Sequence, residues 1–318
     1  MKSPHLRKKL MSYGNIFPVE YKLSSGKSFQ YIPIIDHLKA FCKNREVLKY
    51  ILMPYETQNS LLCDIQDDSI FKQNNLFKEY PNIQIILYLD DFLVTNPLRG
   101  NQARHKLTAF YYTIANLPFT FRSTVCDMQL AIICKRSDIK EYGFRPILTP
   151  LLKDIKLLED TGINIAGISG IVRGSLVSIV GDNLALHEIG SYTTNFSSST
   201  GRLCGFCMAT YNAMESNFKE KYFTRRTKQT HESQINLINV DNSYINLYGY
   251  KFNSPMNDLR YFHTSTMLPP DAMHDLLEGI VPLELALIIS GLIKSKFISL
   301  PLLNRNLVLM INPIDHMT

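Results

Sequence analysis

The order of five apolar segments between residues 83 and 180 constrains the fold of this chain more than any other feature. Four of them have the length and the β-branched or aromatic composition of strands. They cover residues 83–89, 107–114, 128–134 and 174–180. The fifth, residues 147–158, places leucine and isoleucine at helical spacing between the third and fourth strands. The sequence therefore predicts the order strand, strand, strand, helix, strand.

Acidic residues follow two of these predicted strands. Asp90 comes directly after the first strand, and Asp182 follows the fourth, 92 positions later. A strand that returns through a helix lies parallel to an earlier strand, so we expect the two carboxylates to meet at one sheet edge. Such oxygen ligands suit Mg²⁺ or Mn²⁺. Because single aspartates are also common turn residues, the prediction depends on the pair.

The predicted fold class is α/β, with an RNase H-like mixed sheet of three antiparallel strands, a helix and a parallel strand. We expect residues 1–78 to form a mostly helical N-terminal segment. Within it, the apolar residues between positions 35 and 51 have helical spacing. Residues 79–200 predict the partial RNase H-like core. Residues 201–318 predict a zinc-knuckle-like and largely helical insertion region at the C-terminal end.

The motif Tyr88-Leu89-Asp90-Asp91-Phe92 supports a second hypothesis. It also matches the Tyr-x-Asp-Asp turn of reverse transcriptases, in which two carboxylates of a hairpin bind two metal ions. That hypothesis requires a partner aspartate upstream and a hairpin strand straight after the motif. Residues 96–100, Asn-Pro-Leu-Arg-Gly, instead have the composition of a turn. A polymerase palm fragment stays as an alternative.

Cys204 and Cys207 are the one closely spaced pair among six cysteines. Two thiolates on one tight turn can hold half of a tetrahedral zinc site. Further ligands would come from His187, His263 or His274, and no second pair with zinc spacing is present. The alternative is a pair of reduced cysteines in a loop.

Residues 269–279, with the sequence PPDAMHDLLEG, form a third motif. Asp271 has the chemistry of a helix N-cap. Asp271, His274, Asp275 and Glu278 then fall at helical spacing on one face. Such a stripe is often only solvated surface. Glu278 is nevertheless the best candidate for a third acidic residue.

The charge balance permits nucleic-acid binding without requiring it, since 34 basic against 28 acidic residues give a formal net charge of +6. Arg225, Arg226 and Lys228 form a small basic cluster that could contact a DNA backbone.

The distribution of cysteines and of apolar residues indicates the cellular compartment in which the protein is expected. Four scattered cysteines indicate a reducing environment rather than a disulfide framework. Residues 280–293, interrupted by a proline and a glutamate, are too short to span a bilayer, so we expect a buried helix there. The sequence predicts a soluble intracellular protein with no membrane partner.

Several motifs together resemble one known family, over roughly residues 30–310. They are residues 85–100 (IILYLDDFLVTNPLRG), His105-Lys106-Leu107, Asn116-Leu117-Pro118, Phe121-Arg122-Ser123, Gly181-Asp182-Asn183-Leu184-Ala185, Cys204-x-x-Cys207, residues 268–279 and Pro282-Leu283-Glu284. Their order and spacing resemble the CACTA (En/Spm-like) group of DDE transposases, which is similar in layout to the recombination-activating nuclease of vertebrate immunity.

The resemblance implies a metal-dependent DNA nuclease and strand transferase. The implied catalytic residues are Asp90 and Asp182; Glu278 is added to them from its spacing alone. The predicted Mg²⁺ or Mn²⁺ ligands are Asp90, Asp91 and Asp182. The resemblance implies Cys204 and Cys207 as zinc ligands, and His274 is added to them from the sequence. The family's histidine pair and its catalytic glutamate on a later helix have no clear counterpart here.

We therefore expect a truncated core that is weakly active or inactive. It would be a nuclear protein that binds DNA and self-associates. The alternative is a catalytically dead remnant that binds DNA or protein.

Overall fold

The structure, a computed structural model, forms two compact units, residues 1–269 and residues 270–318. It describes residues 16–53, 61–93, 106–123, 128–197, 199 and 201–311. The turn predicted at residues 96–100 lies outside the described residues, as does His105. The predicted domain boundaries at residues 78 and 200 stay predictions.

A curled mixed sheet of seven strands forms the centre of the first unit, in the order β1-β2-β5-β4-β3-β7-β6. The strands are β1 Val19–Lys22, β2 Ser28–Tyr31, β3 Asn82–Leu93, β4 Lys106–Ile114, β5 Gln129–Lys135, β6 Ile163–Asn164 and β7 Ile171–Val180. β7 runs parallel to β3, and every other neighbouring pair is antiparallel. The predicted mixed α/β class is confirmed.

Helices surround this sheet and make up about 47% of the chain. In the first unit they are α1 Ile34–Phe41, α2 Arg45–Leu52, α3 Ser69–Gln73, α4 Asn75–Lys78, α5 Phe119–Arg122, α6 Arg136–Tyr142, α7 Phe144–Asp160, α8 Asn183–Ile189, α9 Tyr211–Ser216, α10 Lys228–Val240 and α11 Tyr244–Tyr248. Short 3₁₀ helices cover Ile65–Asp67, Glu220–Tyr222 and Pro255–Asp258.

Two local predictions are wrong. Residues 35–51 form two helices rather than one, because the Asn44 side chain accepts a hydrogen bond from Glu46 N and starts α2 afresh. The first strand does not end at Leu89 but continues to Leu93, because its last residues pair with β4. β1 and β2, which the sequence did not indicate, extend the sheet from β5.

Side chains of β3 alternate between two hydrophobic clusters, as the two-residue period of a strand requires. Ile83, Ile85, Leu87 and Leu89 join the larger cluster, which α7 covers with buried residues that include Leu148, Leu151, Ile155 and Leu158. Ile86 joins a smaller cluster that contains Phe71 and Phe77. The strand that carries Asp90 is therefore covered on both faces.

The second unit is helical. A π-helix, Met273–Ile280, continues into α12, Val281–Lys294, and α13 covers Leu300–Ile311. Between residues 280 and 293 no described side chain is buried, and most of the large apolar ones are exposed, so the prediction of a buried helix there is wrong. Among the described residues, Met273–Lys294 is the one helix long and apolar enough to cross a membrane, with a mean hydropathy of 2.0 over its best window.

Gly174 marks the closest approach of β7 to β3. An added Cβ at this position would lie 2.3 Å from the carbonyl oxygen of Ile83, its partner in the parallel pair. No side chain fits there unless the two strands move apart. The parallel pairing therefore requires glycine at this position.

We predict that Gly174→Ala lowers the free energy of unfolding by about 1–3 kcal/mol, because the added methyl group overpacks the strand pair. Urea denaturation measures the change. Gly291→Ala is the matched control, since an added Cβ there meets no neighbouring atom within 4 Å. Equal destabilisation of the two variants would show that the strand contact is not the cause.

Candidate functional site

The parallel register of β3 and β7 determines where Asp90 and Asp182 lie. Tyr88 is paired with Val180, and each aspartate stands two residues beyond this pair. An added Cβ at Gly181 would lie 3.0 Å from the carbonyl oxygen of Leu89, so the chain leaving β7 still runs beside β3. Both aspartates are exposed. The register thus places Asp90 inside β3, three residues before its end, and Asp182 just past the end of the neighbouring β7.

Each of these aspartates uses one carboxylate oxygen locally. Asp182 is the N-cap of α8, and its Oδ1 accepts a hydrogen bond from Ala185 N at 2.6 Å. Asp90 Oδ1 accepts from Asp91 N at 2.8 Å. Asparagine caps a helix as well as aspartate does, so capping alone does not explain a carboxylate at position 182.

Asp91 has a different environment from Asp90. Its Oδ2 lies 3.1 Å from Lys106 Nζ and 3.1 Å from Arg136 Nε, while Thr108 Oγ1 donates to its Oδ1. Two cations and a hydroxyl group already compensate this carboxylate. These contacts favour Asp90 over Asp91 as the metal ligand on β3.

Arg136 connects Asp91 to the helix that Asp182 caps. It is largely buried, and its Nη2 donates to both carboxylate oxygens of Glu188 on α8. Burial lowers the pKa of Arg136, but the hydrogen bond and charge of Glu188, with the charge of Asp91, outweigh that effect and raise it overall. This ion-pair chain holds β3 and α8 together beside the two exposed aspartates.

We predict that Arg136→Met lowers the free energy of unfolding by about 3 kcal/mol, because two partly buried carboxylates lose their shared cation. Arg145→Met is the matched control, since Arg145 forms an exposed pair with Asp258 and should cost about 1 kcal/mol or less. Denaturant titration at pH 7 compares the two. A loss no larger than that of the control would exclude a structural role for the chain of ion pairs.

Cys204 and Cys207 occupy a tight turn. Phe206 N donates to Cys204 Sγ at 3.3 Å, and Cys207 forms an antiparallel bridge with Arg225. Burial raises the pKa of Cys207 to about 11, and the negative charge of Cys204 adds to the shift. Two neighbouring thiolates repel each other in this way until a cation compensates them.

His187 lies beside this turn. Its Nδ1 is 2.8 Å from the carbonyl oxygen of Thr193, which can only accept, so Nδ1 carries the proton and Nε2 keeps its lone pair. An added Cβ at Gly205 would lie 3.6 Å from Nε2. Burial lowers the pKa of His187, so the ring is neutral at pH 7. This is the tautomer in which histidine binds a metal through Nε2.

No three His, Cys, Asp or Glu side chains within the described ranges are close enough together to hold one metal ion. The sequence placed His274 with the cysteines, but His274 belongs to the second unit, where its Nδ1 contacts Asp271. Asp271 accepts from Met273 N at 3.1 Å and His274 N at 3.2 Å, as expected of a cap. Glu278 follows in the π-helix, whose wider turn alters the predicted α-helical face.

The predicted basic cluster is not a continuous exposed surface. Arg226 is buried, donates through Nε to the carbonyl oxygen of Cys204 at 3.0 Å, and stacks 4.5 Å from the ring centre of Tyr250. It supports the cysteine turn from inside, so its prediction as a DNA contact is wrong. Arg225 instead pairs with Glu220 at the surface. No sequence pattern distinguishes the buried arginine from its exposed neighbour.

Two buried histidines pack beneath Arg226. The rings of His231 and His263 lie 4.8 Å apart, and neither nitrogen of His231 has a hydrogen-bond partner among the described residues. Burial lowers the pKa of His231 to about 4 and that of His263 to about 3. The unfolded chain therefore binds more protons than the folded chain between about pH 6.5 and pH 4.

We predict that stability falls as the pH decreases from about 6.5 towards 4, with each such histidine contributing up to about 1.4 kcal/mol per pH unit. His231→Phe keeps a ring against Tyr250 and removes one titrating group, so the slope should decrease by up to that amount. Urea denaturation at half-unit pH steps measures it. An unchanged slope would show that His231 does not titrate on unfolding.

Comparisons with known proteins do not identify this chain. No family model matches it, and no curated protein is significantly similar to it. Any assignment of function therefore depends on its own residues, their register and the motifs quoted above.

Proposed function

We propose that the chain is derived from a metal-dependent DDE DNA transposase, a nuclease and strand transferase built on an RNase H-like sheet. The observation that carries the proposal is the parallel pair of Tyr88 and Val180, because Asp90 and Asp182 each stand two residues beyond it on adjacent segments of the chain. The three antiparallel strands β3, β4 and β5, followed by α7 and the parallel β7, support it. The order of the motifs, which resembles that of CACTA transposases, is the reason for proposing this group.

Asp90 and Asp182 fit a hard divalent cation, because both present exposed carboxylate oxygens. Mg²⁺ or Mn²⁺ would supply charge stabilisation of a phosphate during transfer to water or to a DNA 3′-hydroxyl group. The ion pairs of Arg136 with Asp91 on β3 and with Glu188 on α8 hold the strand and the helix together beside these two aspartates. With two acids and Glu278 as an untested third, we propose weak or no cleavage by this chain.

Cys204 and Cys207 also fit zinc, through two thiolates on a turn of the kind that binds it. His187, one of the further ligands that the sequence allows, lies beside Gly205, but it does not form a three-ligand group with the two cysteines among the described residues. His274 stays a proposed ligand that the sequence alone suggested. The role proposed for zinc here is structural, in holding the segment after α8.

A binding protein without catalysis is the second candidate. It is favoured by the lack of a three-ligand metal group within the described residues. The polymerase hypothesis gains no such support, because it requires a turn at Asp90 and Asp91, and both residues instead pair with β4 inside a strand. DNA binding, self-association and a nuclear location stay proposals that accompany the transposase function.

We predict that saturating Mn²⁺ or Mg²⁺ raises the melting temperature of the chain by several degrees, since a ligand at 100 times its Kd adds about 2.7 kcal/mol. Asp90→Asn and Asp182→Asn should each abolish this rise. The second variant should stay folded, because asparagine retains the helix cap at that position. Asp258→Asn, which removes an exposed carboxylate elsewhere, is the matched control and should leave the metal response intact.

Nicking of supercoiled plasmid in Mn²⁺ separates the two candidates. Weak nicking that both of the first two aspartate variants abolish supports the transposase-derived nuclease. A wild-type chain with no thermal response and no nicking supports the binding protein. Robust cleavage would contradict the proposal that the chain is weakly active.

A further inference from the structure

The segment after the cysteine turn forms a loop whose two ends are hydrogen-bonded to each other. Its base is tied by backbone hydrogen bonds from Met208 N to Thr224 O at 2.8 Å and from Arg226 N to Phe206 O at 2.9 Å. The bridge between Cys207 and Arg225 lies between these bonds. We call residues 210–223 the aromatic loop. Its two ends are therefore fixed to each other.

The aromatic loop is ordered but has no buried residue. Thr210 caps α9 through a bond from Ala213 N, and the 3₁₀ helix Glu220–Tyr222 closes with Phe223 N donating to Glu220 O at 2.9 Å. Phe218 is nevertheless 87% exposed and Tyr222 is 58% exposed. Exposed aromatic side chains on an ordered backbone indicate a binding surface.

The unpaired charges between these two rings are positive. Lys219 and Lys221 lie between the two aromatic residues in the sequence. The Nζ atom of Lys221 is 5.1 Å from the ring centre of Tyr222. Neither lysine forms an ion pair with another described residue, whereas Glu220 is already paired with Arg225. Within residues 210–223 the basic side chains are Lys219 and Lys221, and the acidic ones are Glu215 and Glu220. Because Arg225 already compensates Glu220, the unpaired charge directly between the two rings is positive and suits a polyanion that carries flat rings.

We propose that the aromatic loop binds single-stranded DNA, with bases stacked on Phe218 and Tyr222 and phosphates beside Lys219 and Lys221. Aromatic rings interleaved with cations form the usual platform for an unpaired strand. Bases of a duplex are stacked on each other and offer no free face, so duplex DNA fits less well. The choice of DNA rests on the proposed function, in which strand ends are exposed during transfer.

Fluorescence anisotropy of the full 318-residue chain with a labelled mixed-sequence DNA of about 20 nucleotides tests the proposal, in buffer with no added Mg²⁺ or Mn²⁺, so that cleavage is not supported while any bound zinc stays in place. Phe218→Ala and Tyr222→Ala should each weaken binding about fivefold or more. Lys219→Gln with Lys221→Gln should lower the salt dependence of log Kd by about 0.7 per lysine. Phe17→Ala, at a ring 71% exposed elsewhere, and Lys39→Gln with Lys72→Gln are the matched controls.

Wild-type affinity in both aromatic variants would overturn the proposal, as would equal losses in the control variants. Tighter binding of RNA of the same sequence, or loss of self-association in place of DNA binding, would also overturn it by assigning the loop to another partner. Loop-dependent binding by a chain whose melting temperature does not respond to Mg²⁺ or Mn²⁺ would disprove the nuclease and leave this inference standing.

Discussion

The parallel pairing of β3 with β7 is the constraint on which the rest of the structure depends. It joins two distant segments of the chain, and α7 covers the larger core on one side of that pair. The close approach at Gly174 and the turn at Gly181 both belong to this pairing. Because a slip of one residue would exchange the side chains of β3 between the two hydrophobic clusters, the register is strongly specified. The positions of Asp90 and Asp182 follow from that register.

The two neighbouring aspartates of β3 illustrate how environment separates identical side chains. Asp90 is exposed on β3, whereas Asp91 is held by Lys106 and Arg136. Arg136 then reaches Glu188 on α8, so the strand and the helix beside the site are joined by charge. Such an arrangement leaves one carboxylate available for a cation and uses the other to position it.

Beyond the sheet, local hydrogen bonds rather than a large core organise the cysteine turn. Arg226 fills the space below it, contacting the Cys204 carbonyl and the Tyr250 ring, with two neutral histidines behind. The interior of this region therefore combines a buried arginine and two histidines with apolar side chains such as Ile235, Ile238 and Phe262.

The sequence by itself determined the mixed α/β class, the four central strands and the amphipathic α7. These depend on periods of two and 3.6 residues and on residue types, which are local properties. Only the tertiary structure decided that β1 and β2 join the sheet, that Asp91 is neutralised, that Arg226 is buried and that His187 faces the cysteine turn. Each of these depends on partners far along the chain, and no local pattern records which distant group a side chain will meet.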